Sequence, residues 1–314
     1  MSMTWTEFFF GGCPHLAEMF RETPQDYDAL QQFECNGSWS LGAPLRTDMP
    51  PGHMIMVLPL TVWNEKSRIR YVAKTVSGTG HYLVSSLISL KFSEFPIEQA
   101  EAHIRMIGSW KHNYTPIEVQ RQLDPFLVEA RTFEHIKRHC PDSYKIFFPQ
   151  YFGVLTGIPR KKYPSSCMLR RRAVVLETIY PDLASRRILA AKTHCVDDLT
   201  NSLHQDLQVK DISKFEIEWY KSLLSDRLLR IAALHNIGLT HGDVRDDHFR
   251  LPNDFYDTVL YDFSASYTFS PSIPCRKRKW LQPLSVIQNT ERETVFRIIL
   301  ERSDCTPSVI FSHN

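Results

Sequence analysis

The sequence predicts an α+β fold with two lobes, an antiparallel β-rich first lobe and a mainly α-helical, shortened second lobe. Between residues 55 and 92, runs rich in Val, Ile, Leu, Thr and Tyr are typical of strands. Between residues 212 and 234, apolar residues recur at three- and four-residue spacing, which indicates a long helix. A chain of 314 residues is long enough to bury a core in each lobe.

Three segments are expected along the chain. They are an N-terminal appendage, a first lobe and a second lobe, at residues 1–52, 53–179 and 180–314. The appendage is predicted to be helical around residues 14–33, and it ends at the breaker Pro50-Pro51-Gly52. The first lobe carries a helical insert at 93–123, where apolar residues again follow the helical period.

The first lobe is expected to combine strands with one further helix. The predicted strands lie at residues 55–63, 68–76, 82–92, 146–155 and 173–179. Turns at 64–67 and 77–80 separate the first three strands, which predicts an antiparallel meander. A helix is expected to begin at Asp124-Pro125 and to run through Lys137, because proline suits the first turn of a helix.

Composition and charge exclude several classes of protein. A net charge of +2 gives no general attraction to nucleic acid or anionic lipid, so neither partner is expected. Seven scattered cysteines without a Cys-x-x-Cys pair argue against a zinc site or a disulfide framework. No apolar run approaches the roughly 18 to 20 residues that span a bilayer, and the start lacks a signal-peptide pattern, so we expect the cytosol. The basic run at 276–279 suits nuclear import, although such runs are more typical of a solvated surface.

The densest cluster of reactive side chains follows the long helix. It reads His241-Gly242-Asp243-Val244-Arg245-Asp246-Asp247-His248. A short predicted hairpin then leads to Asp262-Phe263-Ser264, so two carboxylates are expected to converge. Nucleotide-bound Mg²⁺ needs oxygen ligands, and a separate carboxylate must orient the attacking hydroxyl. Asp262 suits the first role and Asp243 the second, while Arg245 suits neutralisation of the transferring phosphoryl group.

These two segments resemble the catalytic loop and the Asp-Phe-Gly segment of protein kinases, and in detail they are similar to fungal kinase-like proteins. The resemblance covers about residues 53–270 and includes the stretches 124–133, 234–243 and 262–268. It implies a bilobal protein-kinase-like fold that binds ATP with Mg²⁺ or Mn²⁺. It also implies transfer of the γ-phosphoryl group to a hydroxyl of a protein or a small molecule.

The resemblance assigns the chemistry to particular residues. Asp243 is the expected catalytic base, and Arg245 and His241 of the same loop are the other expected catalytic residues. Asp262 is the expected Mg²⁺ ligand. His248 is the second expected metal ligand, because it stands where the family has an asparagine that binds a second cation, although imidazole is a softer ligand than an amide oxygen. Asp246 or Asp247 could take over that role if the loop brings either of them to the cation.

The resemblance also implies a nucleotide pocket. Glu129 is the expected helix glutamate, and Leu176-Glu177-Thr178 is the expected hinge whose backbone receives adenine. For the strand lysine, Lys91 is favoured over Lys74, because Lys74 lies one predicted strand too early. The turn at 64–67, which would cover the phosphates, lacks the expected glycines.

Three functions follow from these observations. The first is an ATP-dependent phosphotransferase, and the second is a pseudokinase that acts as a binding or regulatory module. Only 52 residues follow Asp262, without an Ala-Pro-Glu segment, which is typical of a minimal lobe or of a lobe that no longer docks a substrate. The third is a metal-dependent hydrolase built on a mixed set of ligands, namely His241, Asp243, Asp247 and His248.

Overall fold

The structure is a computed structural model, and the statements below concern the residues that it describes. These are 5–11, 13–22, 29–45, 55–64, 68–76, 97–107, 115–159, 162, 172–179, 198–251, 254, 256–266 and 282–305. The predicted strand at 82–92, Lys91 and the basic run at 276–279 lie outside the described residues.

A five-stranded sheet forms the β part of the described chain. Its strands are β1 (Ser38–Leu41), β2 (Ile55–Trp63), β3 (Arg68–Val76), β4 (Tyr151–Leu155) and β5 (Ala173–Glu177). The sheet has the order β1-β2-β3-β5-β4, and every neighbouring pair is antiparallel. The predicted antiparallel sheet of an α+β protein is therefore confirmed.

Helices make up most of the remaining described structure. They are α1 (Trp5–Phe10), α2 (Pro14–Arg21), α3 (Ile97–Ile107), α4 (Pro116–Leu123), α5 (Pro125–His139), α6 (Asp142–Lys145), α7 (Asp198–Gln208), α8 (Lys214–His235) and α9 (Leu284–Cys305). The long helix predicted at 212–234 corresponds to α8, which begins at a capping box formed by Ser213 and Glu216. Among the described residues, no helix is long and apolar enough to cross a membrane.

The sequence-based strand count is wrong in two places. It omits β1, which pairs with β2 in the register Ser38↔Trp63 to Leu41↔Leu60. It also pairs a strand at 82–92 with β3, whereas both edges of β3 are occupied, one by β2 and the other by β5. Because β1 precedes β2, the strand that carries Lys74 is the third along the chain and not the second.

Helix α5 lies against one face of the sheet. Its N-terminus is capped by the Asp124 carboxylate, which accepts hydrogen bonds from the backbone N–H groups of Phe126 and Leu127. The Arg172 guanidinium, just before β5, contacts the second oxygen of Asp124 at 2.9 Å. Val174 of β5 is buried with Phe126 in the main core, so the cap and the core together fix α5 on the sheet.

The N-terminal helices pack in the same core as α5, α8 and α9. Phe9 and Phe20 are fully buried there. The Phe20 ring stacks on the His135 ring of α5 with 4.3 Å between centroids. Residues 1–52, treated as an appendage above, thus contribute both a strand to the sheet and aromatic side chains to the core.

We expect buried His135 to make the fold sensitive to acid. Its Nε2–H donates to the Ile237 carbonyl at 2.8 Å, and burial lowers its pKa to about 3. Unfolding restores a pKa of about 6.5, so the unfolded chain binds more protons and stability falls as the pH drops below 6.5. Between pH 6.5 and 5 this group should cost about 2 kcal/mol of the free energy of unfolding.

Urea unfolding of wild type and His135→Gln across this pH range measures the effect. The variant should lose about 2 kcal/mol less than wild type between pH 6.5 and 5. His15→Gln removes an exposed histidine from α2 and should behave as wild type. Equal acid sensitivity of wild type and His135→Gln would show that His135 titrates normally in the folded protein.

Candidate functional site

A buried cluster joins strand β3, helix α5 and the segment after residue 261. The Lys74 Nζ lies 2.8 Å from Glu129 Oε1 and 2.7 Å from Asp262 Oδ1. Lys74 is directly opposite Val174 of β5, and cross-strand partners share a face, so its side chain points to the side that α5 covers. Two carboxylates separated by 133 residues in the chain thus share one ammonium group.

Burial and charge act in opposite directions on this cluster. Glu129 is completely buried, and this burial raises its pKa to about 7 even though Lys74 opposes the change. Burial alone would raise the pKa of Asp262 as well, but the Lys74 ammonium outweighs it and holds that pKa well below its usual range. For Lys74, burial is outweighed by the two carboxylates, which raise its pKa. Of the two carboxylates, Asp262 is therefore the one that stays fully ionised at neutral pH.

Asp262 is held in an uncommon backbone conformation. Its φ angle is +68°, and among the described residues it is the only non-glycine residue with positive φ. Ser264 Oγ donates to Asp262 Oδ1 at 2.9 Å, and the ring of Phe263 is fully buried between Phe133 of α5 and His241. Local strain of this kind persists where surrounding contacts over-determine it, and it is common in functional sites.

The loop after α8 presents Asp243 beside Arg245. The Arg245 Nε lies 3.3 Å from Asp243 Oδ2, and both side chains are about half exposed, at 55% and 46%. Arg245 Nη2 also donates to His248 Nε2 at 2.9 Å. His248 connects this exposed pair to the Asp262 cluster, because its Nε2 also lies 3.6 Å from Asp262 Oδ2.

His241 has a supporting position in this loop. It is fully buried, and its Nε2–H donates to the carbonyl oxygen of Tyr261 at 2.9 Å. Its ring stacks on His248 with a centroid distance of 5.2 Å. Burial lowers the pKa of His241. His241 thus links the loop to the segment before Asp262, and its Nε2 is not available to a metal ion.

Glu291 of α9 anchors the loop, and the sequence analysis did not identify it. Its carboxylate accepts hydrogen bonds from the backbone N–H groups of His241 at 3.1 Å and Gly242 at 2.6 Å. The same carboxylate contacts His235 Nε2 at 2.9 Å. Burial alone would raise the pKa of Glu291, but these contacts outweigh it and lower that pKa. Glu291 lies 49 residues beyond Gly242, so no motif in the sequence connects the two residues.

Gly242 is the residue in this loop least able to accept a side chain. Its φ angle is +79°, and a Cβ atom would lie 2.0 Å from the backbone oxygen of Ala265. We expect Gly242→Ala to reduce the free energy of unfolding by about 3 kcal/mol, since both left-handed strain and a backbone clash are imposed.

Gly157→Ala separates the two causes. Gly157 has a similar φ of +63°, but a Cβ atom there meets nothing within 4 Å. Urea unfolding should give a loss of about 1 kcal/mol for that variant. If the two variants lose the same stability, the close approach of Gly242 to Ala265 has no energetic weight.

Asp246 is committed to a cluster of arginines. Its Oδ1 lies 2.9 Å from Arg227 and 3.3 Å from Arg302, and its Oδ2 accepts from Arg250 at 2.7 Å. Arg227 also forms two 2.8 Å hydrogen bonds to Asp257. Asp246 therefore anchors the loop to helices α8 and α9. Asp247 is about half exposed, with its carboxylate 3.8 Å from Arg245 Nε.

The predicted hinge lies at the end of β5. Glu177 is opposite Tyr71, which lies three residues before Lys74 on β3. The backbone N–H of Glu177 donates to the Gln150 carbonyl at 2.9 Å. Thr178 follows it, and its Oγ1 is buried without a hydrogen bond among the described residues. Lys91 lies outside the described residues, so its role stays a prediction, whereas the competing Lys74 contacts both Glu129 and Asp262.

The donor groups favour an oxygen-binding cation at Asp262. Its Oδ2 accepts no hydrogen bond from a described residue, and carboxylate oxygen is the ligand that Mg²⁺ and Mn²⁺ prefer. In the described part of the chain, no group of three or more His, Cys, Asp or Glu side chains is arranged to hold a metal ion. A cation here would therefore depend on phosphate oxygens for most of its ligands.

Comparison with protein-family models and with curated proteins finds no match to this chain.

Proposed function

We propose that this chain is an ATP-dependent phosphotransferase of protein-kinase-like fold, which uses Mg²⁺ or Mn²⁺ and transfers the γ-phosphoryl group to a hydroxyl of a protein or a small molecule. The observation that carries the proposal is the contact of Lys74 with both Glu129 and Asp262. An ammonium group fixed by a helix glutamate and lying beside a metal-binding aspartate suits the binding of nucleotide phosphates.

The chain's own residues supply positioning and charge. Glu129 holds Lys74 in place, so that its ammonium is oriented before a nucleotide binds. Asp262 would hold the cation, which would supply positive charge to neutralise the nucleotide phosphates. Arg245 is exposed enough to contact the transferring phosphoryl group.

Asp243 would accept the proton of the attacking hydroxyl. As the acceptor oxygen forms its bond to the γ-phosphorus, the bond from that phosphorus to the β,γ-bridging oxygen breaks. ADP leaves with the bonding electron pair, and the hydroxyl proton passes to the Asp243 carboxylate. The 46% exposure of Asp243 is consistent with access by an acceptor hydroxyl.

The proposal includes the two-lobe arrangement, with the adenine at Glu177 and Thr178. In a kinase-like fold, the connection between the first two strands would cover the phosphates. Because β1 precedes β2, the residues between the first two strands are 42–54 and not 64–67. This connection contains Gly42 and Gly52. In this proposal the turn at 64–67, which lacks glycine, does not cover the phosphates. We retain the cytosol as the proposed compartment.

The second candidate is a pseudokinase that binds nucleotide or a partner without catalysis. One observation favours it: His248 occupies the position of the second-cation asparagine, and its Nε2 already accepts a hydrogen bond from Arg245. The hydrolase has less support, because His241 is buried and bonded to the Tyr261 carbonyl.

Thermal unfolding with ATP tests the proposal. At about 100 times the dissociation constant, ATP with Mg²⁺ or Mn²⁺ should stabilise the protein by roughly 2.7 kcal/mol. ATP with a chelator should stabilise it less, because the cation links the phosphates to Asp262. No stabilisation at millimolar ATP with either cation would refute nucleotide binding. Binding without release or transfer of the γ-phosphate would favour the pseudokinase.

A further inference from the structure

The hydrogen bonds of His248 fix its proton. Its Nδ1 lies 2.7 Å from the backbone oxygen of Asp243, which can only accept, so Nδ1 carries a hydrogen. Its Nε2 lies 2.9 Å from Arg245 Nη2, which can only donate, so Nε2 uses its lone pair to accept. The imidazole is thus neutral, and its single lone pair is occupied by a guanidinium group.

The imidazole is also held rigidly. The His248 side chain is only 3% exposed, and its ring stacks on the buried ring of His241. A metal ion at Nε2 would have to displace Arg245, since the ring has no second lone pair to offer. His248 is therefore better suited to orienting Arg245 than to binding a cation.

Arg245 carries a positive charge into the place where a second cation would act. Its guanidinium lies beside Asp243 and is one hydrogen bond from His248, whose Nε2 is 3.6 Å from Asp262 Oδ2. The side chain is 55% exposed, so its other N–H groups remain accessible to phosphate oxygens. Unlike a bound cation, this charge is permanent and does not depend on metal concentration.

We propose that the Arg245 guanidinium, oriented by His248, replaces the second divalent cation, so that the site binds a nucleoside triphosphate together with a single metal ion on Asp262. The inference rests on the proposed function and revises the sequence-based assignment of His248 as a metal ligand. His248 is then a positioning residue, and Arg245 is the group that contacts the phosphates.

Counting bound Mn²⁺ by electron paramagnetic resonance tests the inference. With a saturating non-hydrolysable ATP analogue, wild type should bind one Mn²⁺ per analogue at millimolar Mn²⁺. Asp262→Asn should lose this ion. His248→Asn frees Arg245 and supplies an amide oxygen, so it should bind two.

Affinity for the analogue gives a second readout. Arg245→Gln and His248→Ala should each weaken it about 10-fold, and the double variant no further, because both act through one contact. Two Mn²⁺ per analogue in wild type, or additive losses in the double variant, would overturn the inference while leaving the proposed function standing. Failure of wild type to bind the analogue at any Mn²⁺ concentration would overturn the proposed function, and this inference with it.

Discussion

Lys74→Met should abolish most nucleotide binding and reduce the free energy of unfolding by about 3 to 5 kcal/mol, the cost of removing one partner from a buried ion pair. Glu129 is completely buried and its carboxylate would lose the ammonium that neutralises it. Nucleotide affinity should fall roughly 10- to 100-fold, because a charge-assisted contact to phosphate contributes about 1.5 to 3 kcal/mol.

The stability loss should depend on pH. Without Lys74, the pKa of Glu129 rises further above its unfolded value, so the folded variant binds an extra proton at neutral pH. A folded state that binds more protons than the unfolded state loses stability as the pH rises. Urea unfolding should therefore show a larger loss at pH 8 than at pH 6.

Two further variants separate the ion pair from general effects on β3. Arg70→Met removes an exposed cation from the same strand and should change neither stability nor nucleotide affinity appreciably. Lys74→Met combined with Glu129→Leu should recover much of the stability, because no buried charge is left unpaired on α5. It should not recover nucleotide binding. A stable Lys74→Met protein that binds ATP as wild type does would disprove the proposed role of Lys74 and leave Lys91 as the candidate.

The sequence predicts helix α8 and strands β2 and β3 well, but it does not predict helix α9, which is as long as α8, and it misses the short edge strand β1. The helical period of α8 extends over many turns, and the β-type residues of β2 and β3 fill nine residues each. Strand β1 has only four residues, Ser-Trp-Ser-Leu, beside a turn-like stretch that contains Gly37. Its pairing with β2 defines it as a strand, and pairing across a connection of 13 residues is not encoded in local composition.

That one missed strand accounts for the preference for Lys91. If strands are counted from β2, β3 is the second strand and Lys74 lies one strand too early to be the strand lysine. If they are counted from β1, β3 is the third strand. The sequence motifs identify Asp243, Glu129 and Asp262 as candidate site residues, because characteristic neighbouring residues surround each of them. Contacts such as Glu291 to Gly242 and Arg245 to His248 depend on how helices and loops pack, which motif spacing does not specify.

We expect Asp243→Asn to reduce phosphoryl transfer by about 10²- to 10⁴-fold while leaving nucleotide affinity nearly unchanged. The Asn side chain keeps the size of Asp and can still lie beside Arg245, but it cannot accept the hydroxyl proton. Asp243 makes no contact with Lys74, Glu129 or Asp262 among the described hydrogen bonds and ion pairs, so the proposed nucleotide contacts should persist. Release of the γ-phosphate to water, or its incorporation into the chain, measures transfer without knowledge of the natural acceptor.

Asp247→Asn is the matched control, because Asp247 is in the same loop, has a similar exposure of 48% and also lies near Arg245. If the protein is a phosphotransferase, the Asp247→Asn variant should retain most of the transfer rate, because Asp243 and not Asp247 accepts the hydroxyl proton. In a hydrolase built on His241, Asp243, Asp247 and His248, it should be as damaging as Asp243→Asn, because both would remove a metal ligand.

Equal transfer by wild type and Asp243→Asn would mean that Asp243 is not the base. Nucleotide binding by a wild-type protein with no detectable transfer would instead assign the Lys74 cluster to a binding module, in which Asp243 and Arg245 have lost their chemical role.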